Sequence, residues 1–171
     1  MNLISPNINN KEVQNSIGLL NLKDNILYSY ISAPIISGKN RNREMNIKDL
    51  NNFHNNLVNK IKYIINPSFF HKKDWVSHDY LFFWKYIINN YVKEIIFISG
   101  WNYSGGCSFE FLIGFLKGIP LLDHNLNEIK LTQAIKLIKE SILFKESNNI
   151  FSKLQTKTLN ILVELWRENE R

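Results

Sequence analysis

The residue best placed to do chemistry in this sequence is an acid that follows a run of small residues. Glu110 comes after Ser104-Gly105-Gly106-Cys107-Ser108-Phe109, which itself follows the apolar run Ile95-Ile96-Phe97-Ile98. The run reads as a buried strand, and the glycine pair as a turn where backbone approaches a ligand closely before a helix begins. Glu110 is then expected near the positive end of that helix, at the carboxyl edge of the strand, where open α/β sheets bind ligands. A stabilising interaction with the helix dipole is the other reading of the same acid. Gly106 and Gly114 stand four residues to either side of Glu110, a spacing expected to strip the helix face of side chains and leave a hollow beside the carboxylate.

Other residues converge on the same edge. Ser104, Gly105 and Gly106 offer a hydroxyl and backbone N–H groups at a helix start, suited to a phosphate or ribose and equally to an ordinary serine cap. Tyr30 stands near the end of an earlier β-rich run, Ile26 to Ser32, so its phenol either reaches this crevice or packs in the core. Asp79 is either a second carboxylate or an acid at the start of its own helix. Trp101 and Tyr103 form either an aromatic wall for a base or simple packing at a strand end.

The elements that must hold these residues alternate along the chain. Residues 1 to about 24 read as a polar, partly loose lead-in. The strand at 26–32 breaks at Ala33-Pro34 and gives way to the basic, ligand-facing loop Ser37-Gly38-Lys39-Asn40-Arg41. Leu50, Phe53, Leu57 and Ile61 recur at helical spacing and lead into a short strand at 62–65. A well-buried helix at 78–91, a strand at 92–99, a helix at 106–117 and a short strand at 119–122 complete the series. This predicts an α/β, Rossmann-like three-layer sandwich, with a mostly parallel sheet between helices and right-handed crossovers. Two further amphipathic helices are expected within 128–168, able to pack on the sheet or on another subunit.

The 171 residues, 44% of them apolar, fit a single domain spanning 1–171 with its core at 26–123. The net charge of +6 comes from scattered Lys and Arg rather than a dense patch, so nucleic-acid binding is not expected. The abundance of Asn, Ile and Lys reads as the imprint of an AT-rich genome rather than of a selected surface. Cys107 is the only cysteine, which excludes an internal disulfide and suits a reducing cytoplasm. No apolar run approaches the length of a membrane span, and no signal peptide is expected. His54, His71, His78 and His124 lack metal-ligand spacing, so no metal site is expected.

The segment Tyr30-Ile31-Ser32-Ala33-Pro34-Ile35 with Gly38, then Asp79, then Ser104-Gly105-Gly106-Cys107-Ser108-Phe109-Glu110, and finally Gly118-Ile119-Pro120, resembles the nucleoside 2-deoxyribosyltransferase family, which includes nucleoside 5'-monophosphate N-glycosidases. The resemblance spans about residues 26–123, and its most specific element is Ser-Gly-x-x-x-x-Glu. It implies a flavodoxin-like fold and cleavage of an N-glycosidic bond in a nucleoside or nucleoside 5'-monophosphate, by hydrolysis or base transfer, without a metal or organic cofactor. By position, Glu110 would be the nucleophile, Tyr30 would hold its carboxylate, and Asp79 would help protonate the departing base. Ser104, Gly105, Gly106 and Ser32 would bind the sugar or phosphate, with Gly38, Lys39 and Arg41 as further phosphate contacts. Where transferases of the family often carry an Asp before the glycines, this chain has Trp101-Asn102-Tyr103, and the aromatic pair would instead face the base.

The resemblance also implies a homo-oligomer, for which the C-terminal helices and Trp166 are the expected interface. Ser99-Gly100-Trp101-Asn102-Tyr103-Ser104 with Cys107 and Glu110 is similar as well to TIR-domain NAD hydrolases, which would release nicotinamide. A nucleotide-binding sensor without turnover is the non-enzymatic alternative.

Overall fold

The computed structural model describes residues 10–23, 25–35 and 43–170. In chain order the elements are α1 (Asn10–Ile17), β1 (Tyr28–Ser32), α2 (Arg43–Leu57), β2 (Ile64–Ile65), α3 (Ser77–Tyr91), β3 (Val92–Phe97), α4 (Gly105–Lys117), β4 (Leu121–Leu122), α5 (Leu131–Ser147) and α6 (Lys153–Asn169). The four strands form one parallel sheet in the order β2-β1-β3-β4. That is the doubly wound, flavodoxin-like order, whose direction of winding reverses between β1 and β3.

The reversal decides where the helices go. With crossovers of one hand, α2 must lie on one face of the sheet, and α3 and α4 on the other. The buried side chains divide accordingly. Ile31, Leu50, Leu57, Ile96 and Ile98 form one cluster under α2, while Tyr30, Ile95, Phe97, Phe83, Ile87 and Phe111 belong to a larger cluster under α3 and α4. Strand alternation therefore sends Ile31 to the α2 face and Tyr30 to the α3/α4 face.

Apolar residues on several faces of α3 have several partners. Phe83 stacks on Phe70 with ring centroids 4.5 Å apart, and Trp84 meets Tyr30 of β1 at 5.5 Å. The C-terminal helices belong to this core: Ile138 of α5 and Leu162 of α6 are fully buried, α6 packs along α4, and α5 packs along α6. Both are joined to the segment between β3 and α4, because the Asn102 carbonyl accepts from Ser141 at 2.6 Å and also from the Gln155 amide.

The lead-in departs from the sequence expectation. Residues 10–17 form a helix, and Val13, Ser16 and Ile17 are buried along one side of it. A short amphipathic stripe hidden among Asn and Ser docks this helix on the core. No helix among the described residues is long and apolar enough to cross a membrane.

Candidate functional site

The turn Trp101–Tyr103 delivers the chain from β3 to α4, and Ser104 starts the helix in extended conformation. Its Oγ accepts from the Cys107 N–H at 3.3 Å, satisfying one of the free amides at the helix start. Glu110 is the sixth residue of α4, beyond the first turn where the dipole acts strongly. The solvated, dipole-stabilised reading of this acid therefore does not apply. Glu110 instead points into the core and is 8% exposed.

What meets it there comes from the carboxyl end of β1. Tyr30 Oη donates to Glu110 Oε1 at 2.8 Å, and Ser32 Oγ donates to Oε2 at 2.6 Å. Positions 30 and 32 share one face of a strand by its period of two, so both hydroxyls reach the same carboxylate. The Tyr30 ring is held in turn by the tilted indole of Trp84.

Burial dominates the electrostatics. It pushes the Glu110 carboxyl up to about 7, against the pull of the Ser32 and Tyr30 hydroxyls, which favour the charged form. Burial also raises the Tyr30 phenol well above its ordinary value, with the Glu110 charge adding to it. One turn before Glu110, the buried Cys107 thiol is pushed up to about 12 by burial and then by the same carboxylate. The thiol is thus held protonated, and Glu110 is the group left to titrate near neutrality.

Several sequence expectations need correction. The face of α4 that carries Glu110 is filled by the sheet, leaving no hollow at Gly114. A Cβ at Gly114 would lie 2.5 Å from Leu121 Cδ2 and 2.8 Å from Ile95 Cδ1, so this glycine serves close helix–sheet packing. Gly105 is covered as well, since a Cβ there would meet Ser152 Oγ at 3.2 Å and Leu154 at 3.7 Å. At Gly106 the nearest atoms would be Ser104 Oγ at 3.6 Å and Leu81 Cδ2 at 3.9 Å, ordinary contact distances.

Trp101 is 4% exposed and lies flat on Phe111 at 5.3 Å, so it is core rather than a wall open to a base. Tyr103 packs edge-on against Phe144 of α5 at 5.7 Å. Asp79 is buried at the start of α3, where its Oδ2 accepts from the Val76 N–H at 3.0 Å; that is a helix-start role. Gly38, Lys39 and Arg41 lie outside the described residues.

Ser32, expected as a sugar or phosphate contact, instead donates its hydroxyl to Glu110, a role its i, i+2 relation to Tyr30 could have signalled. Trp84, which braces Tyr30, was missed in the sequence, where a buried aromatic helix gave only a general hint. Among the described residues, no three His, Cys, Asp or Glu side chains converge as a metal site would require. The chain matches no family model, no curated protein and no solved structure.

Proposed function

We propose that the protein cleaves the N-glycosidic bond of a nucleoside or nucleoside 5'-monophosphate, with Glu110 as nucleophile and water or a second base as acceptor. The observation that carries this reading is the double hydrogen bond of Tyr30 and Ser32 to a buried Glu110, at the carboxyl end of β1 beside the point where the sheet reverses. A carboxylate aligned by two hydroxyls and titrating near 7 is ionised in useful proportion at neutral pH and poorly solvated, both of which favour attack.

In the proposed reaction a Glu110 oxygen bonds to the anomeric carbon as the carbon–nitrogen bond breaks. The bonding pair leaves with the base, which takes up a proton. Water then attacks the same carbon, the glycosyl ester opens, the carboxylate is restored, and the water proton is released. Tyr30 and Ser32 hold the carboxylate throughout. Ser104 Oγ caps the start of α4 by accepting from the Cys107 N–H, and this hydroxyl is the group the resemblance assigns to a sugar hydroxyl or a phosphate oxygen.

The resemblance assigns base protonation to Asp79, but the use of its carboxylate at the start of α3 favours a second reading, a nucleotide-binding sensor without turnover. Incubation with nucleosides, 5'-monophosphates and NAD, followed by chromatography for free base, separates these readings. Free base that disappears in Glu110→Gln supports the proposal, and nicotinamide alone supports the NAD-hydrolase form of the same chemistry. Nucleotide binding without any free base supports the sensor.

A further inference from the structure

A cavity of about 260 Å³ lies in the bend between α5 and α6, and none of its lining residues belongs to the site around Glu110. Its walls carry two kinds of side chain. Ile142, Ile150 and Phe151 supply apolar surface, while Lys145, Lys153 and Lys157 supply three ammonium groups. Ile150 is 54% and Phe151 78% exposed, so apolar surface stands open beside the cations.

Among the described residues none of the three lysines is in an ion pair, although Glu146 also lines the cavity. Half-buried Lys145 donates instead to the neutral Oε1 of Gln155 at 2.8 Å. The first turn of α6 adds positive character, since it contains no acid and Ser152 makes no side-chain cap bond. The partly buried Lys145 ammonium has only a neutral partner, which is unfavourable, and an anion would relieve it, with exposed Lys153 and Lys157 adding attraction. Burial already holds the Lys145 amine below its ordinary value.

We propose that this cleft binds a small amphipathic anion, a carboxylate or phosphate head on a short apolar body. The head lies among Lys145, Lys153 and Lys157, and the body lies against Ile142, Ile150 and Phe151. The volume is at the small end for ligand sites, which limits the body to a short chain or a single ring. This site is independent of the reaction proposed at Glu110.

Isothermal titration calorimetry of the full chain with hexanoate, hexyl phosphate and neutral 1-hexanol tests the proposal. At least one anion is expected to bind about tenfold more tightly than hexanol, with affinity falling as salt rises. The double variant Lys153→Met/Lys157→Met changes only exposed side chains of the first two turns of α6 and is expected to weaken anion binding about fivefold. Lys145→Met, checked for folding by its melting curve, should weaken it similarly. Hexanoate and hexyl phosphate distinguish the two head groups, and binding of either supports the site. Equal binding of hexanol, no heat from either anion, or unchanged anion affinity in the double variant would overturn it.

Discussion

Tyr30 and Glu110, eighty residues apart in the chain, are joined by a 2.8 Å hydrogen bond between the end of β1 and the second turn of α4. The bond crosses the layer between sheet and helix, so it ties the orientation of the carboxylate to the packing of the domain. Removing the phenol oxygen isolates its effect. Tyr30→Phe keeps the ring against Trp84 and deletes one donor to the charged form of Glu110. A hydrogen bond to a charged group contributes about 1.5 to 3 kcal/mol, so the carboxyl should titrate about one to two pH units higher. The acidic limb of the pH–kcat/KM profile should move by the same amount, and an unmoved limb would disconnect the tyrosine from the reactive carboxylate.

Glu110 should weaken the fold at neutral pH. Its carboxyl titrates at about 7 when folded, against an ordinary 4.5, so the folded state binds the proton more tightly. The stability linked to this group is therefore complete below about pH 4.5, falls as pH rises towards 7, and stays low above it. The interval corresponds to about 3 kcal/mol at about 1.4 kcal/mol per unit. Glu110→Gln should raise stability by up to that amount at pH 8 and by little at pH 4, as read by urea denaturation at both values. An equal effect at the two pH values would contradict the buried, raised carboxyl.

The two glycines flanking Glu110 should respond differently to substitution. At Gly106 a methyl group meets nothing closer than 3.6 Å, and alanine is a better helix former than glycine by about 1 kcal/mol. Gly106→Ala should keep or raise the melting temperature. At Gly114 a Cβ would lie 2.5 Å from Leu121, and the still larger Gly114→Val should cost about 1 to 3 kcal/mol through overpacking. Thermal unfolding of the two variants measures the contrast.

Trp101 should behave as a core residue. Trp101→Ala is expected to destabilise by about 3 to 5 kcal/mol, because the ring is 4% exposed and stacked on Phe111. Trp101→Phe should restore most of that stability, which denaturant midpoints would register. A Trp101→Ala variant with unchanged stability would return the indole to the surface.

Much of the architecture was legible because strands and helices differ in apolar period. Tyr28 to Ser32, Val92 to Phe97 and the heavily apolar α3 all stand where those periods place them. Period also placed Glu110 and Gly114 on one helix face, and that face was correct. Period does not say what covers a face, and here the sheet does, through Tyr30 and Ser32 at Glu110 and through Ile95 and Leu121 at Gly114. Trp101 was ambiguous for the same reason, since an aromatic at a strand end turns inward only if a later element, here Phe111 of α4, returns over it. The short helix at 10–17 was obscured by polar neighbours, and its Val13 and Ile17 became buried only through the core assembled by the rest of the chain.

The central claim is that Glu110 forms a bond to the anomeric carbon of a nucleoside or nucleotide. Its most direct measurement is free-base release by the native protein and by Glu110→Gln, side by side, with urea denaturation confirming that the variant is folded. Release is expected from at least one nucleoside, 5'-monophosphate or NAD by the native protein, and at least about a thousandfold less by a variant as stable as the parent or more so. Comparable release by the variant, or none by the native protein from any of these substrates, would contradict it.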